Sequence, residues 1–339
     1  MIKKLYISLF SLLLAFIAVG QDAQFSQFYA APLYLNPAFT GTNLKTRANF
    51  IYRNQWASLP GSFVTYSAAV DYNLESFNSG FGLIMTSDKA GAAAMKSTNV
   101  SLLYSYNLQV NNKFVIRAGL QFGFNRNSIN YNDLIFGSQI NADNGVTGAA
   151  SGENLFGKQN KSMFDFSSGV LGYTDKYWIG LSAHHLNQPD LSFEDGDEAP
   201  LPLKVSIHGG AKLQVVQGEY TNDKRVIKVS PAFMYKAQGK FDQLDLGFYV
   251  NYNPVVLGLW YRGIPVLKQY EKGYANNDAI SAVIGFHQDY LTIGYSYDFT
   301  ISRLGPATGG SHEISIGYEF YYKTRKKKIY EKYIPCPKF

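Results

Sequence analysis

Cysteine is almost absent: Cys336 is the single thiol in 339 residues. An exported chain with one cysteine has no internal disulfide framework, so hydrogen bonding and packing must hold its fold. That cysteine also lies at the wrong terminus for a lipoprotein anchor. Charge is sparse, 17% of residues against roughly 25% in soluble domains. This excludes disordered, acidic and coiled-coil chains. Long apolar runs are missing beyond Leu5–Val19, which falls short of the ~20 residues a helix needs to cross a bilayer. A mean hydropathy of −0.14 is too low for a polytopic helical membrane protein. No Gly-x-Ser-x-Gly nucleophile motif occurs.

Residues 1–20 read as a secretory signal peptide: Lys3 and Lys4, then the apolar run, then Ala18-Val19-Gly20 with cleavage between Gly20 and Gln21. Losing Lys3 and Lys4 leaves 29 of the 31 basic residues against 25 acidic ones. The excess sits in the segment 323–339, which holds Lys323, Arg325, Lys326, Lys327, Lys328, Lys332 and Lys338 with one acid, Glu331. The pI near 9.0 therefore belongs to the tail. Basic proteins raise nucleic acid as a partner, but an exported chain does not meet it.

Aromatics are abundant, with 24 Phe, 26 Tyr and 3 Trp, beside 31 Gly. They fall into period-two strands. Ile116, Ala118, Leu120, Phe122 and Phe124 alternate with Arg117, Gly119, Gln121, Gly123 and Asn125. Leu291 to Phe299, Ile314 to Tyr322 and Leu244 to Asn251 repeat the pattern. A soluble sandwich would carry Lys, Glu and Thr on its polar face. Here that face is Gly, Ser, Asn and charges of both signs, which suits a crowded barrel lumen, and aromatic strand ends suit interfacial girdles. The spacing predicts an all-β, fourteen-stranded antiparallel transmembrane barrel over 44–322. Its strands start near residues 46, 63, 79, 97, 113, 163, 177, 203, 225, 241, 254, 279, 290 and 312. Short and long connections alternate, so long loops face outside, and an even strand number leaves both termini in the periplasm. Residues 21–43, with Pro32 and Pro37, alternate too poorly for a strand and form an ordered periplasmic strap or a partial lumen plug.

Residues 24–41 open Gln24-Phe25-Ser26-Gln27 and continue to Asn36-Pro37. With Arg53-Asn54-Gln55-Trp56, His185-Leu186-Asn187-Gln188-Pro189 and Cys336-Pro337-Lys338-Phe339, this stretch resembles the PorP/SprF family of type IX secretion barrels. These blocks span almost the whole mature chain. The resemblance implies an outer-membrane barrel that helps export a secreted protein, such as an adhesin of gliding bacteria, or anchors it at the cell surface. It also implies a periplasmic partner, the system's ring component or a peptidoglycan-binding lipoprotein.

Candidate chemistry is thin. His184, His185, His208, His287 and His312 lie on different strands, and alternation sends adjacent His184 and His185 to opposite faces, so at most one meets the lumen. Glu194, Asp195, Asp197 and Glu198 cluster in one loop and Asn141, Asp143 and Asn144 in another, but neither completes a calcium loop. No metal or cofactor is expected. Arg53, Asp71, Arg117, Lys204, Lys212, Asp245, Asp298 and Glu319 should line the lumen. Mixed signs favour internal salt bridges over an ion-selective pore. Phe136, Phe156 and Phe193 stand in polar loop sequence as candidate cargo contacts. Lys323, Arg325, Lys326, Lys327, Lys328 and Cys336 are candidates for periplasmic docking or for the headgroups of outer-membrane lipid. A non-enzymatic interaction barrel is the first reading, with a channel for hydrophobic or small solutes as the alternative and a membrane hydrolase as a third.

Overall fold

A computed structural model of the chain describes residues 22–43, 46–91, 95–130, 134–141, 145–148, 159–194, 196–217, 226–271, 274–320 and 335–336. The signal segment, Phe156 and the run Lys323–Lys328 lie outside the described residues. Fourteen strands form one antiparallel barrel: β1 (Thr46–Gln55), β2 (Phe63–Leu74), β3 (Ser79–Ala90), β4 (Met95–Gln109), β5 (Val115–Ser128), β6 (Asn160–Tyr173), β7 (Tyr177–His184), β8 (Lys204–Ala211, resuming as Leu213–Gln217), β9 (Val226–Gln238), β10 (Phe241–Tyr252), β11 (Val255–Glu271), β12 (Tyr274–Gln288), β13 (Leu291–Thr300) and β14 (Ser311–Phe320). Each pairs with its neighbours, and β1 closes on β14 from Thr46↔Phe320 to Gln55↔Ser311. Closure removes every edge that would otherwise leave backbone groups unpaired in hydrocarbon.

The alternation sorts side chains as the sequence predicts. Leu120, Phe122, Phe124, Ile293, Tyr295, Ile314 and Ile316 form part of an exposed apolar outer belt, while Arg117, Asn125, Thr292, Ser296 and Ser315 are buried inside. The expected strand starts agree within a few residues except at β12, which begins at Tyr274 rather than 279. Of the charges expected in the lumen, Arg53, Asp71, Arg117, Lys204, Asp245 and Asp298 are buried there. Lys212 and Glu319 are only half-buried.

The lumen is filled by the chain's own N-terminal segment. Asp22 bonds to Lys204, His185 and Gln238, at the end carrying the long loops. The segment then descends through a helical turn (Pro32–Leu35) and a 3-10 turn (Pro37–Phe39). At Gly41, whose N–H donates to Asp71 Oδ2 (2.8 Å), it reaches the end carrying the tight turns. This corrects the expectation that both termini share the short-turn side. An even strand number fixes where the first and last strands begin and end, but a threaded segment carries Asp22 to the opposite mouth.

Three cores pack around it, one of them joining Leu33 to Ile84 and Leu103. Phe28, Tyr29, Leu35, Ala38 and Phe39 meet wall residues Leu171, Tyr173, Trp178, Tyr249 and Trp260, and Cys336 packs against the same cluster. Nearer the long-loop end, Phe25, Ala30 and Ala31 meet Ile51.

Candidate functional site: the plugged lumen and its mouth

An arginine hub fixes the upper part of the plug. Arg53 pairs through Nη2 with Asp298 (2.9 Å) and through Nη1 with Glu313 (3.1 Å), and Nη1 also donates to Ser26 Oγ (2.8 Å). Arg262 pairs with Asp245 (2.8 Å) and Asp298 (3.2 Å) and donates to the same serine oxygen (3.1 Å). Ser26 Oγ donates onward to Asp298 (2.6 Å). Glu313 accepts the backbone N–H groups of Ser26 and Gln27, each at 2.8 Å. Two guanidinium forks and three carboxylates thus close a network around one serine of the plug. Charges this deep are tolerable because each is paired and hydrogen-bonded.

Asn36 does the same without charge. Its Oδ1 accepts from Ala38 N–H and so caps the 3-10 turn, while Nδ2 donates to Val170 O and Leu181 O and lies 3.2 Å from His208 Nε2. Phe39 stacks on the His208 ring at 5.3 Å. Lower down, Trp178 Nε1 donates to Tyr29 Oη (3.0 Å). Glycines on the inner wall leave space for this backbone. A Cβ at Gly119 would collide with the backbone of Pro37 and Ala38, and one at Gly169 with the Asn36 carboxamide.

At the long-loop mouth His185 adopts φ +61°, a left-handed conformation rare outside glycine. That turn breaks the strand alternation, so both His184 and His185 are buried, contrary to the expectation of one. His185 Nδ1 faces Asp165 (2.9 Å) and Nε2 faces Asp22 (2.8 Å). Burial alone would depress its pKa, but the Asp22 charge and the Asp165 hydrogen bond lift it to about 9. Burial would raise the Asp22 pKa, yet Lys204 and His185 hold it well below the usual carboxylate range.

The four sequence blocks that lie far apart along the chain therefore meet on one object. Gln24, Phe25, Ser26, Gln27, Asn36 and Pro37 belong to the plug itself. Gln24 Oε1 accepts from Lys236 Nζ (2.6 Å). Arg53 grips Ser26, and Gln55 Oε1 receives a long 3.5 Å bond from Arg53. Asn54 keeps a buried side-chain oxygen without a hydrogen-bond donor. Trp56 turns over the mouth at φ +57° with its ring against Phe63 at 5.4 Å. His185 holds Asp22, and Cys336 packs against the core cluster that contains Tyr29 and Tyr173. Glu313, Arg262, Asp165 and Asp22 escaped the sequence reading, and His208 is named there only as one of five candidate histidines. Glu313 and Arg262 carry a usable signal, since each continues the inward face of its strand two residues beyond a buried position, Ser315 and Trp260.

The loop candidates sit apart from this network. Phe136 is half-buried, and its N–H donates to Gln139 Oε1 (2.9 Å). Phe193 is half-buried and Glu194, Asp197 and Glu198 are exposed. Among the described residues no group of three His, Cys, Asp or Glu is arranged to hold a metal ion.

Between the top of the plug and the wall lies a cavity of about 470 Å³, lined in part by Phe25, Tyr34, Trp56, Phe63, Asp88 and Lys236.

Three solved structures are similar in fold. Omp33 of Acinetobacter baumannii is 6% identical at a TM-score of 0.42, covering 83% of this chain and 100% of that one. A Pseudomonas aeruginosa FadL homologue is 12% identical at 0.45, covering 86% and 94%. The CymD monoaromatic hydrocarbon channel is 14% identical at 0.42, covering 90% and 96%. No curated protein matches the chain. A family model described as type IX secretion system membrane protein PorP/SprF matches residues 17–318.

Proposed function

The chain belongs to the type IX secretion system membrane protein PorP/SprF family, and we propose that it is a non-enzymatic, self-plugged barrel that holds an exported, adhesin-like protein at the cell surface. The observation that carries this reading is the occupied lumen. Residues 22–43 run from one mouth to the other and are bonded to strands on all sides, which leaves the mouths and loops as working surfaces. The long loops face outside and the tight turns face the periplasm, the usual orientation of such barrels. Asp22 then lies at the outer mouth and Cys336 at the inner one.

The loop aromatics Phe136, Phe156 and Phe193 are the proposed cargo anchors, because buried aromatic side chains dominate most protein interfaces. The basic run from Lys323 to Lys328 faces an acidic partner in the periplasm, a ring component or a peptidoglycan-binding lipoprotein, or anionic lipid headgroups. Cargo retention is the test. Co-purification of the tagged barrel from its own outer membranes in mild detergent, followed by mass spectrometry, should return a large exported protein as main partner. Alanine at all three phenylalanines should reduce its recovery at least tenfold. Unchanged recovery removes the loop claim. A barrel that returns no partner and conducts steadily in a planar bilayer favours the solute-channel reading instead.

A further inference from the structure

The cavity at the outer mouth holds a carboxylate with an unmet charge. Asp88 on β3 stands opposite Thr65 on β2 and accepts a hydrogen bond from its hydroxyl (2.5 Å). Among the described residues no cation forms an ion pair with it. The other acids around the same cavity are matched: Asp22 by Lys204 and His185, Asp242 by Lys268, and Asp278 more loosely by Arg262 at 3.9 Å. Aromatic side chains line the same cavity as Asp88. Phe63 precedes Thr65 by two residues on the same inward face, Trp56 packs its ring on Phe63, and Tyr34 of the plug faces the cavity from the other side.

The chain itself displays what such surroundings hold. Lys204 Nζ lies 5.1 Å over the Tyr34 ring while bonded to Asp22, an ammonium between an aromatic face and a carboxylate. Asp88 repeats the carboxylate and aromatic halves of that arrangement without the cation. Ammonium and guanidinium groups bind best where a ring face and an anion are offered together in a partly dry site. At Asp88 the strands β2 and β3 are paired on both sides, so an incoming chain is read by side chains there, not by backbone pairing.

We propose that Asp88, with Tyr34, Trp56 and Phe63, receives a lysine or arginine side chain presented by the exported protein at the outer mouth. This rests on the surface-anchor reading and names the chemistry of one contact in it. Trp56 is held in a left-handed backbone conformation that a bulky residue rarely adopts, and such strain gathers at ligand clamps.

The test is binding of a fluorescent hexa-arginine peptide to the purified full-length barrel, with hexa-glutamate and maltohexaose as comparison probes. Saturable binding that weakens with salt and falls at least tenfold in Asp88→Asn is expected, while Asp190→Asn in the exposed loop binds as wild type. Trp56→Phe should bind within a few-fold of wild type. No hexa-arginine binding, equal loss in Asp88→Asn and Asp190→Asn, or preference for maltohexaose overturns the proposal. Cargo co-purifying undiminished with Asp88→Asn overturns this contact and leaves the anchor standing. Wild-type barrel without cargo defeats the anchor itself.

Discussion

Arg53→Ala is expected to loosen the plug while the barrel stays closed. The substitution leaves Glu313 and Asp298 buried with half of their compensation removed. Glu313 keeps only the Ser26 and Gln27 N–H groups, and Asp298 keeps Arg262, Ser26 and Ser281. Breaking a buried pair from one side costs about 3–5 kcal/mol. Because the β1 ladder is untouched, that cost should appear as local opening of residues 25–41. Hydrogen exchange should lose roughly two to four decades of protection at Ser26 and Gln27, with amides of the wall strands unchanged. Arg53→Lys keeps the charge but not the fork and should fall between. Wild-type protection in Arg53→Ala would mean that the plug is seated by packing alone.

Gly119→Val should expel the middle of the plug. The obstacle to a Cβ there is the backbone of Pro37 and Ala38, which has no rotamer to change. Overpacking usually costs about 1–3 kcal/mol, and a β-branched side chain against a rigid turn belongs at the top of that range or above it. The 3-10 turn would lift, taking Asn36 from its carbonyls and Phe39 from His208. Protease should then nick the segment between residues 22 and 43, which its burial should keep resistant in the wild type. Ala118→Val is the matched comparison, since Ala118 is exposed on the outer face one residue away, and it should leave the segment resistant. Equal resistance in both variants would show that the inner glycines are not spacing for the plug.

The barrel was legible because its two faces differ in chemistry. Ser296, Ser315 and Arg117 could not alternate with Tyr295, Ile316 and Ala118 in water on both sides. The start of β12 was missed because Tyr274-Ala275-Asn276-Asn277-Asp278 has no apolar alternation, and its pairing with β11 is irregular beyond Arg262. The plug was only half legible. Pro32 and Pro37 excluded a central strand, but nothing local separates a strap below the barrel from a segment inside it. The difference lies in partners such as Ser26 with Glu313, separated by 287 residues. Mixed charge on the inward faces did announce internal ion pairs, although not which plug residue they would enclose. His185 misled because its left-handed turn, not its place in the alternation, decides where its ring points.

The central claim is that residues 22–43 close the lumen. Single-channel recording of the purified barrel in a planar bilayer, beside a chain lacking those residues, tests it most directly. The intact barrel should be electrically silent and the shortened one should hold a steady open pore. A steady pore of the same conductance in both would contradict the account.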